Sequence, residues 1–154
     1  MCYQCNYVNL LENSGLASTP NRVKLLEVIG NNNYPLNAGE IINILTRSND
    51  INRVTVYRIL DLLVEKKIVD RISSGGRSFY YGLAPNEHHQ PHPHFYCREC
   101  GSIECLNPEG LHLDIKPINR TFPGLIDHIQ VHMEGLCKNC LKNEEIKSNI
   151  NASF

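Results

Sequence analysis

Two Cys-x-x-Cys pairs constrain this 154-residue chain more than any other feature: "CREC" at 97–100 and "CKNC" at 137–140. Each pair can present two thiolates from one tight turn, helped by Gly101 after the first and Gly135 before the second. Four thiolates around one Zn²⁺ form a closed tetrahedral site, with Zn–S near ~2.3 Å. The 36 residues between the pairs exceed the usual zinc-ribbon gap, so the metal would staple the two ends of a subdomain. A redox dithiol is the other use of such a pair, but neither pair sits in a thioredoxin-like βαβ context. Cys97, Cys100, Cys137 and Cys140 are therefore read as ligands of a structural zinc.

Just before the first pair runs "HHQPHPHFYCREC", with four histidines and two prolines in thirteen positions. On a strand entering "FYC", His92 and His94 alternate and point to one face, as a shared metal requires. Pro91 and Pro93 fix φ and hold the segment extended. Cys105 belongs to neither pair and sits on "GSIECL", a β-prone run able to pair with the first strand as a hairpin around the knuckle. His92, His94 and Cys105 are thus expected to converge on a second metal, with His88, His89 or Glu87 as candidate fourth ligands. The competing reading is a solvated His-rich linker beside a buried thiol. His112, His128 and His132 are read as structural or surface residues.

All seven histidines and five of the seven cysteines follow residue 87, which places a domain boundary near "GLAPNEHHQ". Residues 1–84 form one expected domain and residues 85–154 the other, with a hinge over 82–91. Charge divides the same way: nine Lys/Arg against seven Asp/Glu before residue 85, six against nine after it. That split permits a nucleic-acid-facing first half without establishing one.

The first half carries three helical patterns. "TPNRVKLLEVIG" opens on Thr19 as N-cap with Pro20 inside and stops at Gly30. "LNAGEIINILTRS" repeats the pattern, and "INRVTVYRILDLLVEKK" places Val56, Ile59, Leu60 and Leu63 on one face. "IVDRISSGGRSFYYGL" reads as a hairpin. Short helices followed by a hairpin suggest a winged helix-turn-helix. Arg53, Thr55, Tyr57 and Arg58 then point outward near the start of the third helix, where a recognition helix meets base edges, and the wing supplies Arg71 and Arg77 for phosphates. An apolar outward face would instead indicate a zinc-stabilised protein-interaction module, and Arg53, Thr55 and Arg58 argue against it.

Other classes find little support. "HME" at 132–134 matches half of a zinc-deaminase signature, but no P-C-x-x-C accompanies it. H-E-x-x-H, P-loop, G-x-S-x-G and dinucleotide-binding fingerprints are missing, and a four-thiolate site has no open position for substrate. The expectation is no enzyme and no small-molecule substrate beyond metal ions. No run approaches the ~20 apolar residues of a membrane span, and "MCYQCNYVNLLENSG" has no basic region followed by an apolar block. A cytoplasmic protein with reduced cysteines is expected.

Across residues 8–141 the chain resembles the ferric uptake regulator family. The likeness is carried by "STPNRVKLLEVI", "NAGEI", "TVYRIL", "GGRSFYY", the His-x-His before "CREC", "CGS" and "GLCKNC", in that order. It implies an α+β protein: an N-terminal winged-helix domain, a hinge and a small C-terminal α/β dimerisation domain with the four-cysteine zinc site. It further implies a homodimeric, metal-responsive repressor on a double-stranded DNA operator. By the same likeness Thr55, Tyr57 and Arg58 lie on the DNA helix and His92 and His94 in the sensing site.

Several positions depart from the family pattern. Tyr34-Pro35 stands where many members carry a histidine, Tyr81-Gly82 where a carboxylate usually follows the wing, and Cys105 where a carboxylate follows the Cys-Gly turn. Pro91 and Pro93 replace residues of an additional site. Sulfur in place of oxygen favours Zn²⁺ as the regulatory metal, with Fe²⁺ the alternative. Cys2 and Cys5 form a third Cys-x-x-Cys, which either completes the sensing site across the domains or marks a frayed terminus with incidental thiols. A thiol-based redox or peroxide response is a further reading.

Overall fold

In the computed structural model, residues 5–48, 51–74, 78–127, 129 and 131–151 are described. They divide into two units, residues 1–91 and 92–154.

The first unit opens with a short helix that the periodicity did not single out, α1 (Tyr7–Asn13), capped by the Asn6 side chain on the Asn9 N–H. α2 (Pro20–Gly30) has the expected bounds. Thr19 stands at its N-cap, but its hydroxyl makes no capping bond. Pro20 opens the helix unaided, because its missing N–H would be an orphan there in any case. A two-residue strand, β1 (Leu36–Asn37), leads into α3 (Ala38–Ser48). Here Asn37 and Glu40 form a reciprocal capping box: the Glu40 N–H donates to Asn37 Oδ1 (2.9 Å) and the Asn37 N–H to Glu40 Oε2 (2.8 Å). α4 (Arg53–Glu65) is capped by Asn52, whose side chain accepts from the Thr55 N–H at 2.8 Å.

β2 (Val69–Ser73) and β3 (Phe79–Leu83) form the expected antiparallel hairpin, and β1 adds to the other edge of β3. Leu25 and Leu26 of α2, Ile41 and Leu45 of α3, and Val56, Leu60 and Leu63 of α4 are almost wholly buried together with Leu11 and Val69. Three helices packed on a small antiparallel sheet with a hairpin at its edge make a winged helix.

In the second unit, β4 (His94–Cys97) pairs antiparallel with β5 (Ile103–Cys105) and parallel with β6 (His132–Gly135), in the order β5-β4-β6. Gly101, at φ 72°, turns the chain between β4 and β5. No continuous helix spans Asn107 to Pro117. Asn107-Pro108 begins only a single 3-10 turn (Pro108–Gly110), and Pro117 opens α5 (Lys116–Thr121) rather than ending a helix, in keeping with the first-turn preference of proline. α6 (Lys138–Asn151) follows the last cysteine pair. Among the described residues this unit buries only Pro93, Cys97, Ile103 and Cys137, while Leu113, Ile118, Phe122, Leu125, Ile129 and Leu141 are exposed. No helix among the described residues is long and apolar enough to cross a membrane.

Candidate metal centres and DNA-reading helix

The parallel pairing of β6 with β4 brings the two Cys-x-x-Cys pairs together. Cys97 closes β4 opposite Gly135, and the Arg98 N–H donates to the Gly135 carbonyl at 2.9 Å. Two residues beyond Gly135, Cys137 arrives with its N–H donating to Cys97 Sγ at 3.3 Å. Cys140 stands in the first turn of α6. The sulfurs of Cys97, Cys100, Cys137 and Cys140 all lie within 4.8 Å of one another. A tetrahedron with ~2.3 Å bonds has edges of ~3.8 Å; Cys100 Sγ and Cys137 Sγ are 3.8 Å apart. The donor set fits a structural zinc.

Electrostatics within the cluster point the same way. The Cys100 and Cys137 backbone N–H groups hold the Cys97 thiol down to about 6. The Ser102 hydroxyl lowers Cys100, whose Sγ is 3.2 Å from Ser102 Oγ. Cys140 is pushed up to about 12, first by its hydrogen bond with Cys137 and then by burial. By themselves the sulfurs cannot all ionise; a dication would let them.

The second centre lies at the other end of β4. His94 faces Cys105 in register, and His92, two residues earlier, lies on the same face. The donor atoms of His92, His94 and Cys105 fall within 4.8 Å of one another, and the two imidazoles stand 4.8 Å apart, tilted by 59°. Cys105 is exposed as a residue, but the protein around its sulfur removes enough water to raise the thiol pKa. Two imidazoles and one sulfur suit a borderline-soft ion such as Zn²⁺.

Glu87, His88 and His89 belong to the first unit, in a turn closed by the Asn86 and His89 backbones (2.9 and 3.2 Å), with the His88 N–H on Asn86 Oδ1. His132 sits beside His94 in register but outside the three-residue group. Cys5 is half-buried against the first unit's core, its thiol 3.8 Å from Asn86 Oδ1. Cys2 lies outside the described residues.

On α4, Arg53, Tyr57 and Arg58 are exposed and Thr55 is half-exposed. On the wing, the Arg71 guanidinium stacks over the Phe79 ring at 4.6 Å, which holds a long, flexible cation in one place. Arg77 lies outside the described residues. Val54, 57% exposed, was not among the residues expected on the outward face; the signal was its position off the 56/59/60/63 stripe.

A winged helix followed by a unit with two Cys/His donor clusters defines a class: metal-responsive DNA-binding transcriptional regulators. The chain matches the ferric uptake regulator family over residues 13–121. It is 30% identical over 132 residues to the ferric uptake regulation protein of Bacillus subtilis, covering 84% of this chain and 89% of the relative. Among solved structures it is similar to the Vibrio cholerae ferric uptake regulator (25% identity, TM-score 0.69, covering 86% of this chain and 100% of that one). It is also similar to the Campylobacter jejuni peroxide stress regulator (25% identity, TM-score 0.65, covering 88% and 100%). This chain belongs to the ferric uptake regulator family.

Proposed function

We propose that this regulator is a zinc-dependent repressor, with ferrous iron as the alternative co-repressor. The carrying observation is the convergence of His92, His94 and Cys105, in which sulfur supplies a donor that favours zinc. Cys97, Cys100, Cys137 and Cys140 hold a structural zinc. Residues 1–84 are the DNA-binding domain and 85–154 the dimerisation domain, and metal at the second centre stiffens the hinge over 82–91. The exposed Leu113, Ile118, Phe122 and Leu125 suit burial against a second copy. The homodimer presents two α4 helices to a two-fold symmetric operator in the cytoplasm, with Arg53, Thr55, Tyr57, Arg58 and Arg77 at the DNA.

The test is operator binding by chelated protein retaining its structural zinc, titrated with zinc and, without oxygen, ferrous iron. Zinc should restore binding at lower free concentration than iron, and His92→Ala or Cys105→Ser should abolish the response. Operator affinity indifferent to both metals would sink the proposal.

A second reading rests on the sulfur itself. A thiolate among metal ligands can be oxidised by hydrogen peroxide to a sulfenic acid, with hydroxide leaving, and a sulfenic acid is a poorer ligand. Peroxide would then release the operator from wild-type protein but not from a metal-binding Cys105→Asp variant.

A further inference from the structure

We infer that Val54 is a specificity-determining residue of the DNA-reading helix, placed to seat the 5-methyl group of a thymine. The inference rests on reading α4 as the helix that enters the major groove. The buried stripe of α4 is Val56, Ile59, Leu60 and Leu63, and Val54 lies off it with 57% of its surface exposed. Tyr57, 43% exposed, follows one turn later and Arg58 just after it, so the three share one outward face.

At this position a valine does little for the fold. A β-branched side chain loses rotamer freedom in a helix, and alanine would be the better helix former. With 57% of its surface exposed, Val54 recovers only part of that loss through burial, and an exposed isopropyl group gains nothing from water. The position does have a use at a DNA surface. It falls in the first turn, where a major-groove helix carries its base-contacting residues. Arg53 and Arg58 flank it, and the N-terminal N–H groups of α4 add positive polarity, so a polyanion complements the surroundings of this apolar spot. In the major groove thymine alone presents a methyl group, and small apolar side chains recognise it by contact. The two γ-methyls of Val54 offer more such contact than alanine would.

The experiment uses the metal-loaded dimer and an operator selected from random duplex DNA by the wild-type protein. Each thymine is replaced singly by deoxyuridine, which removes the methyl and leaves base pairing intact, and binding is measured at fixed salt. Wild type should lose affinity about fourfold at one position per half-site, the worth of one buried methyl-sized group. Val54→Ala should lose most of the discrimination between the thymine and uracil operators at that position, while melting within about 1 °C of wild type. Val54→Thr, which keeps the branched shape and one γ-methyl, should retain part of the discrimination. If Val54→Ala kept the full thymine preference, or wild type ignored every deoxyuridine, the assignment of Val54 would be overturned with the DNA-reading role of α4 intact. Failure to select any duplex would overturn both.

Discussion

Gly15 and Lys67 occupy the same place in two copies of one helix stop. After α1, the Leu16 N–H returns to the Leu11 carbonyl and the Gly15 N–H to Glu12, both at 2.9 Å. After α4, the Ile68 N–H returns to Leu63 (2.9 Å) and the Lys67 N–H to Val64 (3.0 Å). Both stops need a left-handed residue, at φ 73° for Gly15 and φ 56° for Lys67. The glycine adopts it freely, whereas a Cβ there costs ~1–2 kcal/mol. Part of that is offset by the greater chain entropy of an unfolded glycine. Lys67→Gly should therefore stabilise the first unit by ~1 kcal/mol, read as a higher urea midpoint at unchanged slope. An unshifted midpoint would mean that the α4 stop carries no strain. Nothing in "VEKKIVD" announces this, because a lysine at a helix end reads equally well as an ordinary solvated charge.

Periodicity made α2, α3 and α4 legible, since each has an apolar stripe against a shared core and a boundary residue of known preference. The β2–β3 hairpin was legible for the same reason. Pairing beyond neighbouring segments was not. Nothing local announces that β6 runs parallel to β4, and that pairing alone carries Cys137 and Cys140 to Cys97 and Cys100. The knuckle between β4 and β5 and the first turn of α6 also decide the protonation states. At neutral pH, Cys97, held at about 6, is mostly thiolate, while Cys140, held at about 12, keeps its proton. Zinc bound by four thiolates must displace that proton. Zinc uptake by the metal-free protein should therefore release protons, and affinity should fall as pH falls because more protons compete for the sulfurs. Calorimetry in buffers of differing ionisation enthalpy measures the count; an apparent enthalpy independent of buffer would argue against four-thiolate binding.

At the scale of the whole molecule the two units are stabilised by different means. The first has an apolar core drawn from every helix and strand within it, whereas the second buries little among its described residues beyond Pro93, Ile103 and two of its own cysteines. A unit so poor in buried apolar surface needs a metal or a partner to hold it. Stripping zinc with a strong chelator should abolish the second unit's melting transition and dissociate the dimer, while the helical transition of the first unit persists. Calorimetry with sedimentation would show this, and a single transition unmoved by chelation would contradict it. Switching the operator makes a separate demand. To carry the binding-competent population from 1:99 to 99:1, the regulatory metal must prefer that state by ~5.5 kcal/mol. Imidazole and thiolate ligation reaches that scale, whereas an exposed ion pair does not.

Taken alone, the chain's order of residues determined the parts. Helical stripes, paired thiols, an alternating His-x-His and a compositional break at residue 87 are local patterns, and local patterns follow from the periods of helix and strand and from ligand spacing. Only the tertiary structure decided the assembly. A parallel strand joined cysteines 40 positions apart, and the β4–β5 register set Cys105 against His94. The reason is physical: long-range pairing and burial are properties of the whole core, and no short window of sequence contains them.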